Sequence, residues 1–247
     1  MNILAFDTCF AACSCAVAKS FDPGEVALDR LYGMYEPMET GHAERLVSMI
    51  GEVMSAAGLD FADLDRIAVT HGPGSFTGTR ISVAAARAVA SSFSADVVAV
   101  SSLAVMAEQA ARHLAAKSQA ARNPGTGEAT LLIAVDARRG EVYVQQFQTG
   151  GADPLTEPML LPVREAAAIG GAGSLIVAGS GAAAVAETAI MVGHHAVACL
   201  PGLLPDARDL CRLAATMQSG SGAIKPLYLR PADAKPQTGK SIERVTT

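Results

Sequence analysis

Apolar residues fall in two rhythms along this chain, and the switches between them lay out its elements. Residues 3 to 8 and 13 to 18 are short runs of apolar and small side chains, which predict two strands joined by a tight turn, the first ending in Asp7-Thr8. A third strand is expected near 28 to 35, beyond the turn signal Pro23-Gly24. From 40 to 57 the rhythm is helical: Ala43, Leu46, Val47, Ile50, Val53, Met54 and Ala57 share one stripe roughly 120° wide, and Gly58 stands where a helix stops. A strand at 66 to 70, a helix at about 79 to 92, a strand at 97 to 100 and a helix at 102 to 116 follow. Strands alternating with helices predict an α/β sheet. The polar stretch 117 to 128, with Asn123-Pro124-Gly125, reads as a loop beside a domain boundary.

The second half repeats the first. A hairpin at 130 to 136 and 141 to 148, turned by Ala137-Arg138-Arg139-Gly140, sets Ala134-Val135-Asp136 where the first half has Ala5-Phe6-Asp7. A strand at 175 to 178, then Gly179-Ser180-Gly181 and a helix, continue the echo that a duplicated domain would produce. Asp206 is placed to cap a last helix whose Leu210, Leu213, Ala214 and Met217 keep the 3.6-residue period. From Lys225 onward the chain should be extended and frayed at its end.

The densest local signal is Gly72-Pro73-Gly74-Ser75-Phe76-Thr77-Gly78-Thr79-Arg80, lying between a strand and a helix as anion-binding loops do. A Walker loop needs four residues between its glycines and then a lysine, whereas Gly74 and Gly78 enclose three and Arg80 follows. The dinucleotide fingerprint fails as well, its third glycine arriving one residue late. The loop therefore reads as a tight connection packed against something. In the helix that follows, Ile81, Val83, Ala84, Ala85, Ala86, Ala88, Val89, Ala90 and Phe93 cover nearly the whole circumference, leaving Arg80, Arg87 and Ser91 as a narrow polar strip. Such a helix is central in a large core or lies between its own sheet and a partner. The stripe on the 40 to 57 helix supports the second option or simply covers the sheet.

Composition narrows the chemistry. With 247 residues, half of them hydrophobic, the chain has ample material for a core, and a net charge of −5 argues against direct binding to a phosphate backbone. Five cysteines with no Cys-x-x-Cys pair do not make a disulfide framework, and Cys13 and Cys15 read as buried packing on one strand face. No leader precedes the first strand and no apolar run would span a membrane, so a cytoplasmic protein is expected. None of His42, His71, His113, His194 and His195 forms a zinc-binding pair on one helix face. Asp7 reads either as an orienting group in a nucleotide site or as a turn former. Ser75 does not stand in a hydrolase elbow, and no nucleophile has a visible base.

Taken together, Ile3-Leu4-Ala5-Phe6-Asp7-Thr8, His42-Ala43-Glu44-Arg45-Leu46, the glycine loop in its Ser-Phe-Thr form, Val100-Ser101-Ser102-Leu103, Asp136-Ala137-Arg138-Arg139-Gly140-Glu141-Val142-Tyr143 and Pro226-Leu227-Tyr228-Leu229-Arg230 resemble the TsaB (YeaZ) family. The resemblance implies a duplicated α/β fold of the actin, sugar-kinase and Hsp70 (ASKHA) type. It implies a first domain at 1 to 115, completed by 205 to 235, a second at 116 to 204, and a frayed tail at 236 to 247. It also implies a non-catalytic partner of TsaD in forming N6-threonylcarbamoyladenosine at position 37 of tRNAs that read ANN codons. TsaE joins the larger complex, tRNA is met only through it, and the partner-binding face pairs with itself when TsaD is missing. That face is expected to comprise His42, Leu46, Val47 and Ile50, the loop residues Gly72, Gly74, Ser75, Phe76, Thr77, Gly78 and Arg80, and Ala84 and Ala88. No catalytic residue, metal or cofactor is expected on this chain; ATP and a metal ion belong to the partner subunits. TsaD holds its metal with a His-x-x-x-His pair, and the matching stretch here, 100 to 107, has no histidine. Cys9 and Thr79 depart from the serine and leucine usual in the family. The competing reading is an enzyme of the same fold, an ATP-binding phosphotransferase or a peptidase of the M22 type.

Overall fold

The computed structural model describes residues 1–20, 30–93, 95–121, 129–169, 173–218 and 224–230. Its first sheet is formed by β1 (Ile3–Asp7), β2 (Ala12–Ala18), β3 (Leu31–Pro37), β4 (Arg66–Thr70) and β5 (Asp96–Val100), in the order β3-β2-β1-β4-β5. β1 runs antiparallel to β2 and parallel to β4, so the expected hairpin begins a mixed sheet. The second sheet is formed by β6 (Ala129–Asp136), β7 (Glu141–Gln148), β8 (Met159–Pro162), β9 (Ser174–Ala178) and β10 (Ala196–Cys199), in the order β10-β9-β6-β7-β8. Read from its other edge, that order repeats the first: hairpin, central strand, then two parallel strands. The fold is a duplicated, ASKHA-like α/β architecture.

Period-two burial explains the layering. On β1, Leu4 and Phe6 point to one face, where Cys13 and Cys15 of β2 join Leu46, Met49, Ile50 and Val53 of α1 (His42–Ala57). Val69 and Ala86 place α2 (Phe76–Phe93) on the same side. Ile3 and Ala5 point to the other face, against Ala207, Leu210, Cys211 and Ala214 of α6 (Ala207–Thr216). Between the sheets lies α3 (Ser102–Ala121), whose Val105 packs toward the first sheet while Leu103, Met106 and Ala110 pack on Leu131, Ile133 and Phe147 of the second. The far face of the second sheet is covered by α4 (Val163–Ala167) and α5 (Ala182–Met191). The result is five layers, with α3 and α6 in the middle one, α6 packed on the first sheet and on α3 while α3 reaches both sheets.

Several boundaries differ from expectation for local reasons. α2 begins at Phe76 rather than at 79, because the Ser75 hydroxyl accepts the Gly78 amide at 3.0 Å and so caps the helix three residues earlier. α3 continues through Lys117 to Ala121, because Lys, Gln and Ala are good enough helix formers to extend a turn that hydropathy alone reads as loop. The third strand occupies Leu31–Pro37, its first expected positions, 28 and 29, lying outside the described residues, as do most of the 117 to 128 loop and all of 231 to 247. β8, α4, β10 and a 3₁₀ turn at Phe61–Asp63 carry too few residues to show a period and were not foreseen. The Asp206 cap is present, its side chain accepting the Arg208 amide at 2.8 Å.

Candidate functional site

What the glycine loop packs against is the turn between β1 and β2. A Cβ on Gly78 would sit 1.9 Å from the Thr8 carbonyl oxygen, and one on Gly74 would sit 2.4 Å from that of Cys9. Both glycines thus permit backbone-to-backbone contact that no side chain allows. The contact is bonded throughout. Ser75 N donates to Cys9 O at 2.7 Å, Thr8 N donates to Ser82 Oγ at 3.0 Å, and Thr8 Oγ1 donates to Gly78 O at 2.7 Å. Ser75 supplies the acceptors for Gly78 N and Thr79 N, so two of the amides that open α2 are met within the turn itself. Thr8 and Cys9 thus pack directly against Gly78 and Gly74. The two departures from the family pattern touch each other: Thr79 Oγ1 lies 3.8 Å from Cys9 Sγ, so the substitutions share one buried contact.

Beneath this turn sits Asp7, fully buried. Its Oδ1 accepts the Thr70 hydroxyl and the Cys9 amide, while Oδ2 is sealed from solvent with no hydrogen-bond partner. Burial outweighs those bonds and pushes its carboxyl up to about 6. Burial likewise raises the Cys9 thiol well above its ordinary value, which makes it a poor nucleophile. Asp136, its counterpart, is exposed; its Oδ1 accepts the Arg138 amide at 2.8 Å, and its own amide donates to Ser180 Oγ at 3.0 Å.

A cleft of about 550 Å³ opens between the two halves, with Phe10, His42, Ser75 and Phe76 on one wall and Asp136 and Ser180 on the other. Three of its polar side chains are bonded to main chain. Ser75 and Ser180 accept amides, and a His42 ring nitrogen is 3.0 Å from Phe10 O. Among the described residues, no group of three or more His, Cys, Asp or Glu side chains is arranged to hold a metal. Nor, among them, is any helix long and apolar enough to cross a membrane.

The residues expected on a partner face divide into two sets. Leu46 and Ile50, only 1% and 7% exposed, belong to this chain's own core; at helical spacing they share the stripe that covers the sheet, so a surface role for them is corrected. Gly72 and Gly78 are buried in the loop. Outward-facing are Val47, 73% exposed, together with Ala84, Ala88, Ser75, Phe76, Thr77 and Arg80. α2 is less apolar outside than its sequence suggests, because Ile81, Ala85, Val89 and Ala90 are half-buried against the core. What remains is a strip of mostly small exposed residues. Alongside it, α1 presents Ser48, Gly51 and Ser55, small residues that recur at helical spacing and were overlooked in favour of the larger stripe. Also unforeseen is Tyr228, whose ring lies 5.2 Å from Phe76 and whose hydroxyl accepts Arg80 Nε at 2.9 Å.

Comparison with known proteins agrees with this architecture. Residues 36–218 match the family model of TsaD, tRNA N6-adenosine threonylcarbamoyltransferase. The chain is 32% identical over 148 residues to the tRNA threonylcarbamoyladenosine biosynthesis protein TsaB of Escherichia coli, an alignment covering 60% of this chain and 55% of that protein. It thus spans little more than half the length of the curated relatives it matches. Two solved structures from Pseudomonas aeruginosa are similar over more of the fold. A protein described as similar to the peptidase YeaZ superposes with a TM-score of 0.73 at 30% identity, covering 93% of this chain and 99% of that one. YeaZ itself gives 0.70 at 32% identity, covering 86% and 90%.

Proposed function

The chain belongs to the TsaD family of tRNA N6-adenosine threonylcarbamoyltransferases, and on that premise we propose that it is a non-catalytic subunit in forming N6-threonylcarbamoyladenosine at position 37 of tRNAs reading ANN codons. The names of its TsaB relatives support the pathway. The subunit docks on TsaD through the outer faces of α1 and α2, works with TsaE in the larger complex, meets tRNA only there, and is cytoplasmic. ATP and the metal ion are held by the partner subunits. The observation that carries this reading is the exposure of Val47 and Gly51 on α1 and of Ala84 and Ala88 on α2. Small side chains let a partner's helices approach closely, and apolar burial at ~25 cal/mol per Å² drives such a contact without any catalytic group. The family's self-pairing follows from the same surface.

Further support comes from what the remaining groups do. The serine and histidine side chains of the cleft are bonded to backbone, and two of the amides opening α2 are met by Ser75. Purified alone, the chain is expected to modify no tRNA and cleave no peptide. Adding TsaD, TsaE and threonylcarbamoyl-AMP restores modification. Turnover by this chain alone, abolished by Asp7→Ala, would overturn the proposal in favour of an enzyme.

A further inference from the structure

The segment Ile224 to Arg230 has no regular structure, yet it is fastened along its length. At one end the Arg87 guanidinium donates to Ile224 O. Next, His71 Nδ1 lies 3.2 Å from Lys225 O, and Leu227 N donates to His71 O at 2.7 Å. Gly72 belongs to the same seam, since a Cβ there would meet Leu227 O at 2.7 Å. Tyr228 then closes on Phe76 and Arg80, with the Arg80 guanidinium 3.8 Å from the Phe76 ring centre. All these partners are in the first half of the molecule. The last residue of the segment reaches the second half: Arg230 pairs with Glu141, the first residue of β7 and next to the turn that lines the cleft.

The two halves are joined at the back of the cleft by the apolar packing of α3 on the second sheet. Small sliding at such packed helices is one way in which domains close. A second attachment at the rim therefore acts with leverage on the angle between the halves, even though a half-exposed ion pair contributes little to global stability. We propose that residues 224–230 form a strap across the cleft rim, fixed to the glycine loop and α2 at one end and to β7 through Arg230 and Glu141 at the other. Cleft width and the position of Phe76 and Arg80 at the start of α2 are then one conformational variable. Whatever opens the cleft pulls on Tyr228, and whatever displaces Phe76 or Arg80 loosens the tie to the second half. This coupling stands independently of which protein docks on α2.

The test uses the full chain, diluted in unlabelled protein, with spin labels carried on unnatural residues at the exposed positions Ala62 and Met191, one in each half and both off the docking face, so that the native cysteines are untouched. The wild type is expected to give one narrow distance distribution. Arg230→Gln and Tyr228→Ala, which release opposite ends of the strap, should each broaden that distribution about threefold toward longer distances while leaving the circular dichroism spectrum unchanged. The exchanged pair Arg230→Glu with Glu141→Arg should restore the narrow distribution. A distribution in Arg230→Gln identical to wild type, or one that stays broad in the exchanged pair, would overturn the strap. Because no TsaD is present, these outcomes do not depend on the scaffold reading.

Discussion

The two halves share a strand order and differ in what their first turn is packed into. In the first, the loop between β4 and α2 closes over the β1–β2 turn so tightly that Thr8 and Asp7 are sealed beneath it. In the second, Gly179-Ser180-Gly181 makes the same approach, Gly181 N donating to Ala134 O at 2.9 Å, but Ser180 and Asp136 stay exposed at the cleft. Their helices differ as well. α1 and α2 have 16 and 18 residues, whereas their counterparts α4 and α5 have 5 and 10. A duplicated topology thus carries one half with long helices and a closed turn, suited to presenting a surface, and another with short helices and an open turn. Sharing a fold does not oblige the halves to share a role.

The largest effect that would sharpen this contrast is expected at the glycines. Gly78→Ala drives a methyl into the Thr8 carbonyl and should cost more than about 4 kcal/mol in denaturant unfolding, or prevent folding. Gly181→Ala meets mainly the Val142 side chain, at 2.8 Å, which can yield, and should cost about 1–3 kcal/mol. Equal losses would break the contrast.

Asp7→Asn comes next, and its sign depends on pH. The folded chain holds the Asp7 proton up to about pH 6, against an ordinary value of 3.8, so between those values it binds more protons than the unfolded chain. Stability is therefore lost as pH rises through that window. Relative to wild type, Asp7→Asn should gain on the order of 2–3 kcal/mol at pH 7.5 and nothing near pH 3.5. Asp136→Asn, at the exposed counterpart, should change stability by less than about 0.5 kcal/mol at neutral pH. Unfolding curves of the three proteins across pH 3.5 to 8 decide it, and a loss for Asp7→Asn at pH 7.5 would mean that the buried charge has a partner. Smaller still is the serine pair. Ser82→Ala leaves the buried Thr8 amide without its acceptor and should cost about 1–2 kcal/mol, whereas Ser180→Ala exposes the Asp136 amide to water and should cost less than about 1 kcal/mol by the same measurement.

Much of this was legible in residues 1 to 115, where long periodic runs announce β1, α1 and α2 within a few positions. The hairpin echo Phe6-Asp7 and Val135-Asp136 disclosed the duplication, because a strand ending in aspartate before a turn is a local pattern. β8 and α4 were silent for the opposite reason: Met159–Pro162 and Val163–Ala167 are shorter than one readable period, and neighbours across the sheet hold them in place. Gly78 looked like part of a loop because its reason lies at Thr8, far away in sequence. Leu46 and Val47 are adjacent yet one is buried and the other exposed, and only the sheet beneath α1 shows which belongs to the core. The strap at Tyr228 was a quoted motif with no visible role, since its partners Arg80 and Glu141 sit on separate halves.

The central claim is that the outer face of α2 is shared with another protein. Ala88 is exposed on that face, so Ala88→Arg should leave stability within about 0.5 kcal/mol of wild type and the circular dichroism spectrum unchanged. Calorimetric titration of TsaD with wild type and with Ala88→Arg tests the claim most directly. The account predicts at least about a 100-fold loss of affinity, the size of a buried hot spot turned into a clash. A folded Ala88→Arg protein that binds TsaD as tightly as wild type would contradict it, and the small residues of α2 would then need an explanation within one chain.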